Sequence, residues 1–167
     1  VCESKGLEVL RCFVEDVKYQ KIDANMVVSL EVIEHVHDPL SFCKSLNNMV
    51  RKQGKVLLTG LSADGFDIQV LKKKSKSISP PHHLNFFSIS GFKHLMKRSG
   101  FNQIHVTTPG NLDVNIVRNA YEENNEVLRD ERFIRDLIQK SPETCDSFQH
   151  FLRKNFLSSH CWVLAEK

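Results

Sequence analysis

Residues 26–38, Met-Val-Val-Ser-Leu-Glu-Val-Ile-Glu-His-Val-His-Asp, run from an apolar strand straight into acids and imidazoles. Met26 to Leu30 is short, apolar and bears adjacent valines, the pattern of a buried strand. Glu31, Glu34, His35, His37 and Asp38 follow at once. Ionisable groups just past the C-terminal end of such a strand sit where open α/β sheets bind their ligands. The stretch therefore points to an α/β fold and to the place where its chemistry lies.

Working outward, Asp38 suits a helix cap and Pro39 the first turn, because proline lacks a donor that would be unpaired there anyway. Leu40, Cys43, Leu46 or Asn47, and Val50 recur at helical spacing, with Arg51 and Lys52 in the last turn and Gly54 as stop. Lys55 to Thr59 is a compact strand, so the order reads strand, helix, strand: a crossover onto a parallel sheet. From Gly60 to Asn85, Ser, Asp, Gly and Lys break the pattern, and a long functional loop is expected. Ser88 caps a helix with Phe92, Leu95 and Met96 on one face and Gly100 as stop, and Phe101 to Thr107 is a strand.

Beyond Pro109-Gly110 the chain reads as largely helical. Val127, Leu128, Ile134, Leu137 and Ile138 form one stripe, and Ser141-Pro142 opens a helix carrying Cys145, Phe148, Phe151, Leu152 and Phe156. Cys161 to Ala165 returns the chain to the sheet. On the N-terminal side, Gly6 closes a helix tail, and Leu7 to Val14 reads as another strand with Glu15 and Asp16 past its end.

The bulk properties suit one domain with its own core: 167 residues, 41% hydrophobic and 26% charged. A net charge of +3 argues against a nucleic-acid partner. The run Lys72 to Lys74 with Lys76 has no interleaved aromatics and reads as a solvated loop or helix end, with an anion or RNA contact as the competing reading. The five cysteines, at 2, 12, 43, 145 and 161, form no CxxC pair and no zinc spacing, as suits reduced thiols in a cytoplasmic protein. Cys43 and Cys145 fall on apolar stripes as small hydrophobes. No stretch has the length of a membrane span and no secretory signal is visible; Val1 is not an initiator methionine, so upstream sequence is expected.

Three segments, FVEDV (13–17), ANMVVSLEVIEHVHDPLSFCKSLNNMVRKQGKVLLTG (24–60) and PPHHLNFFSISGFKHLMKRSGF (80–101), together resemble the class I S-adenosylmethionine-dependent methyltransferases. They are most similar to the group that includes the quinone-biosynthesis O-methyltransferases, while TPGNLDV (108–114) and LSSHCWVLAEK (157–167) resemble a further bacterial subgroup. The resemblance implies a Rossmann-like sheet whose last strand is antiparallel. Leu7 to Val14 would be its third strand, and residues 26–30, 55–59, 101–107 and 161–165 its fourth to seventh. The family's glycine-rich loop and the acid ending its second strand have no counterpart here. Residues 1–167 are thus expected to be a truncated domain lacking the first strand, first helix and second strand, with a helical insertion over about 111–158 before the last strand. Sheet surface exposed in this way calls for a cover, such as a partner or a second copy of the chain.

The resemblance also implies S-adenosylmethionine as cofactor. Glu15 and Asp16 would approach its adenine, Leu30 and Glu31 would bracket its methionine part, and Glu34 would line the same pocket; an electrostatic cap at a helix start is the competing role for the glutamates. His35 is the candidate base for a hydroxyl acceptor, with packing against the following loop as the alternative. His82 and His83 lie in the long loop, where one of them could face the substrate beside the aromatic pair Phe86 and Phe87. No metal site is claimed from this spacing. By resemblance, Asp113 and Asn115 could reach the same opening. The functional expectation is methyl transfer, O-directed, to a small acceptor rather than RNA. The alternatives are a non-catalytic methyltransferase-like interaction protein or inactive fragment and, less well supported, a nicotinamide dehydrogenase, which also needs a glycine fingerprint.

Overall fold

The computed structural model describes residues 1–17 and 22–167. Its centre is a four-stranded sheet of β1 (Ala24–Ser29), β2 (Val50–Leu61), β3 (Gln103–Thr107) and β4 (His160–Glu166), in the order β1-β2-β4-β3. β1 and β2 run parallel, joined by helix α1 (Pro39–Met49), as a crossover requires. β4 enters last, antiparallel to both β2 and β3, and closes the middle of the sheet.

The helix starts follow local chemistry. Asp38 accepts from the backbone N–H groups of Leu40 and Ser41, both at 3.0 Å, ahead of Pro39. Ser88 caps α3 (Ile89–Arg98) through Gly91 N–H at 3.0 Å, and Ser141 caps α6 (Pro142–Lys154). Each such cap contributes about 1 kcal/mol. Gly100, at φ 94°, ends the α3 region in the left-handed conformation that glycine adopts without penalty.

α1 and α3 cover one face of the sheet. Ile33, Phe42, Cys43, Leu46, Val56, Leu58, Phe92, Met96, Cys161 and Val163 are buried between them. Burial pushes the Cys43 and Cys161 thiols up to about 12, which leaves both as inert apolar fillers. A second core lies in a helical cap of α2 (Phe66–Leu71), α4 (Asp113–Glu123), α5 (Arg132–Ile138) and α6, around Leu71, Val117, Leu128, Ile138, Cys145 and Leu152. α4 to α6 are the insertion expected before the last strand, and β4 follows it.

Three expectations require correction. Leu7 to Val14 is not a strand: residues 7–13 are irregular and exposed, and Val14–Asp16 is a single 3-10 turn whose Val14 packs against the core. A strand needs a hydrogen-bonded neighbour, and β1 is the edge strand, with β2 as its one partner among the described residues. α1 ends at Met49 rather than near Gly54, because Val50 already pairs with Ala24 and carries Arg51 and Lys52 into β2. The long loop after β2 contains α2, whose Leu71 is buried in the second core and whose Phe66 and Val70 pack against it. The lysine run is an exposed 3-10 turn, as read, although Lys74 and Lys76 reach Glu126 O and Glu123 at 2.9 and 2.8 Å.

Candidate functional site at the C-terminal edge of the sheet

β1 stops at Ser29, and Glu31 takes a left-handed φ of 53°. For a residue other than glycine this costs about 1–3 kcal/mol and holds only where the surroundings enforce it. Thr59 of β2 does so reciprocally. Its hydroxyl accepts from Glu31 N–H at 3.1 Å and donates to Glu31 Oε1 at 2.6 Å. His160 Nδ1 lies 3.4 Å from the same oxygen.

The turn that follows is strapped down from a distance. Ile33 is in the core, and a Cβ on Gly60 would stand 2.6 Å from its Cγ2, so β2 admits only glycine at this crossing. Glu34 O accepts from Leu84 N–H at 2.7 Å and Asn85 N–H at 3.1 Å, while the Asn85 amide donates to Ile33 O and Val36 O. This anchoring brings the 82–85 loop onto the turn. His35 Nδ1 meets His82 O at 2.7 Å, and the His35 and His83 rings stand 4.8 Å apart.

Carbonyl oxygens only accept, so Nδ1 of His35 carries a proton, and in the neutral ring its Nε2 keeps a lone pair. The same holds for His83, whose Nδ1 meets Ser77 O at 2.5 Å. Glu34 is 2% exposed and its Oε2 has no hydrogen-bond partner. Burial pushes its carboxyl up, and the nearby Glu31 charge adds to this. One ligand atom each from Glu34, His35 and His83 lies within 4.8 Å of the others. The sequence reading claimed no metal site; folding gathers a carboxylate and two imidazoles that could hold one. Ligating histidines characteristically donate their second N–H to a carbonyl or carboxylate, as both rings do here.

His35 also faces a cleft of ≈ 670 Å³, with Phe13, Glu15, Asp16, Val36 and Asp38 among its lining. Glu15, Asp16 and His35 therefore share one cleft, whereas Leu30, Glu31 and Glu34 lie outside its lining. Leu30 is exposed beyond Met26 and Val28 on the uncovered side of β1. His82 contributes its main-chain carbonyl, and its side chain is exposed. Phe87 packs on Phe92, and Phe86 stands edge-on to His83.

Asp113 does not reach this opening. It is buried and accepts from Gln149 Nε2, Ser158 Oγ and Ser159 N at 2.6 Å each, and from Ser159 Oγ at 3.1 Å. Asn115 is exposed beside Arg118. Of the cap aromatics, Phe148 packs on the second core, while Phe151 and Phe156 are about half exposed. Sequence reading missed Thr59, Asn85 and His160. The threonine near the end of β2 was a readable signal, but nothing local marks the other two.

A sheet with acids and imidazoles gathered at its C-terminal edge defines an α/β protein of the ligand-binding kind. The chain belongs to the methyltransferase domain family, whose model matches residues 6–106. No curated protein matches the sequence. Among solved structures, a SAM-dependent methyltransferase of Thermotoga maritima superposes with a TM-score of 0.57 at 13% identity, over 99% of this chain and 66% of that one. A second, from Archaeoglobus fulgidus, gives 0.55 at 12% identity over 99% and 70%. Phosphoethanolamine N-methyltransferase 2 of Haemonchus contortus, solved with phosphomonomethylethanolamine and S-adenosylhomocysteine, gives 0.53 at 15% identity over 93% and 36%. At such identities the likeness is one of fold. The chain thus spans less than two thirds of the first and little more than one third of the third.

Proposed function

We propose that the protein transfers a methyl group from S-adenosylmethionine to an oxygen of a small acceptor. One observation carries this reading: the family match over residues 6–106 includes every candidate of the site, from Glu15 and Asp16 through Leu30, Glu31, Glu34 and His35 to His82 and His83. In this reading Glu15 and Asp16 meet the adenine end, Leu30 and Glu31 flank the methionine, and Glu34 closes the pocket. The acceptor oxygen attacks the methyl carbon in line with the departing sulfur, S-adenosylhomocysteine leaves, and His35 Nε2 takes the hydroxyl proton. The EVIEHVHDP block (31–39) supports a likeness to the quinone-biosynthesis O-methyltransferases and hence oxygen as the nucleophile.

The small net charge of +3, and a lysine run engaged by Glu123 and Glu126, favour a small molecule over RNA. Scattered free cysteines favour the cytoplasm, and among the described residues no helix is long and apolar enough to cross a membrane. Exposed Met26, Val28, Leu30 and Trp162 on the uncovered sheet face suit a second copy of the chain as cover. Calorimetry with S-adenosylhomocysteine, on this chain and on the full-length gene product, tests the reading. Binding by the full-length form upholds it. A folded full-length form that binds nothing sinks it and favours a non-catalytic interaction protein.

A second role for the cluster has its own support. The partnerless Glu34 Oε2 supports this, as does the gathering of one ligand atom each from Glu34, His35 and His83 within 4.8 Å, a donor set that suits a divalent cation. When bound, such a cation polarises an acceptor hydroxyl and eases its deprotonation. Glu34, His35 and His83 would hold it, with His82 O and Ser77 O fixing the two rings. Titration of the metal-free protein with Mn²⁺ or Zn²⁺ should show one site, weakened about tenfold or more in Glu34→Gln. Equal binding by Glu34→Gln would leave His35 with the base role alone.

A further inference from the structure

The last strand carries a polar chain that the scheme above leaves unused. Trp162 Nε1–H donates to His160 Nε2 at 2.8 Å, the two rings standing edge-on at 77°. An indole N–H can only donate, so the nitrogen it meets must hold a lone pair. The single proton of the neutral ring then sits on Nδ1, which faces Glu31 Oε1 at 3.4 Å. Thr59, paired with Trp162 across β2 and β4, donates to the same oxygen at 2.6 Å. His160 and Trp162 are two residues apart on one strand and so share the sheet face. A hydroxyl donor from one strand and an imidazole nitrogen from another thus stand at one carboxylate oxygen of a residue held at φ 53°.

The chemistry of these donors matters. An arginine or lysine in this place would orient the carboxylate and also cancel its charge. A threonine hydroxyl and a neutral imidazole orient it and leave the charge for a ligand. We propose that His160, locked in its Nδ1–H tautomer by Trp162, is a positioning residue that presents Glu31 to a cationic ligand group, the α-ammonium of the cofactor's methionine end. This rests on the reading of Glu31 as a wall of the cofactor pocket.

Imidazole ¹⁵N spectra of this chain, at a pH where histidines are neutral, test the lock. The expected result is an Nδ1–H tautomer for His160, identified by its loss in His160→Asn, and a return to the Nε2–H form common in free imidazoles in Trp162→Phe. An Nε2–H tautomer in the unmodified chain would overturn the proposal. Calorimetry with S-adenosylhomocysteine on the full-length protein tests the consequence. His160→Ala should weaken binding about fivefold, His160→Asn, whose amide nitrogen replaces Nδ1, should restore it to within about twofold, and Trp162→Phe should fall between. Equal affinities for His160→Ala and the unmodified protein would also overturn it. If the full-length protein binds no S-adenosylhomocysteine, the cofactor reading fails by itself. The lock is then decided by Trp162→Phe alone: loss of the Nδ1–H tautomer upholds it, and an unchanged tautomer refutes it.

Discussion

The molecule holds two carboxylate pairs, one at the root of the helical cap and one at the mouth of the sheet. At the root, Asp113 accepts four hydrogen bonds, and its neighbour Asp67 is fully buried with both oxygens partnerless. At the mouth, Glu31 is held by Thr59 and His160, and Glu34 leaves one oxygen bare beside two imidazoles. Both pairs combine a satisfied acid with an unsatisfied one. What differs is the surroundings. Asp113 is enclosed by Gln149 and two serines that belong to the scaffold. The mouth pair sits at a strand end with base-capable nitrogens and a cleft beside it. An orphaned carboxylate therefore reads as a ligand site only where other ligand-type groups share its opening.

The comparison breaks most visibly at Asp113. Replacing it with alanine strips four donors of their acceptor in the interior, where each buried donor left unpaired costs about 1–3 kcal/mol, for a total of about 3–5 kcal/mol after relaxation. Denaturant unfolding of Asp113→Ala should show that loss, with a fall in melting temperature of about 10 °C. A change below about 1 kcal/mol would mean that the cap does not depend on this knot.

Asp67 comes next, and with the opposite sign. Burial, with the nearby Asp113 charge adding to it, pushes its carboxyl up from 3.8 to about 6. The folded state therefore takes up a proton between those values, and stability falls as pH rises through that window, then levels off above it. Asp67→Asn removes the charge and its pH dependence. Its stability relative to the unmodified protein should be higher by about 2–3 kcal/mol at pH 8, and the difference should close toward pH 4. A difference that stays constant with pH would show that Asp67 is not titrating in this range.

The capped helices were legible because capping is local. Asp38-Pro39, Ser88 and Ser141-Pro142 each announce a start within a few residues, and all three helices begin there. β1 was equally legible from its valines and the acids beyond it. Leu7 to Val14 misled because periodicity records a preference, whereas a strand exists only with a neighbour to bond. α2 was hidden because its support is tertiary: Leu71 is buried and Phe66 packed in a core made chiefly by the distant cap. The site divided in the same way. Glu31, Glu34 and His35 were visible as one run, but Asn85 and His160 join them only through contacts between distant segments.

A third kind of carboxylate sharpens the contrast. Glu123 meets Lys76 at 2.8 Å, closer than His160 approaches Glu31, yet both side chains are well over half exposed. Short distance alone would rank this pair among the stronger contacts of the cap. Water screens it, however, and holding two long side chains in one geometry loses rotamer freedom, so exposed pairs contribute between about 0 and 1 kcal/mol. Lys76→Ala should shift stability by less than about 0.5 kcal/mol, with that small shift vanishing in high salt. A salt-insensitive loss of about 2 kcal/mol would show that the loop after β2 is held to the cap by this pair. Burial would then no longer be what separates the carboxylates that matter from those that do not.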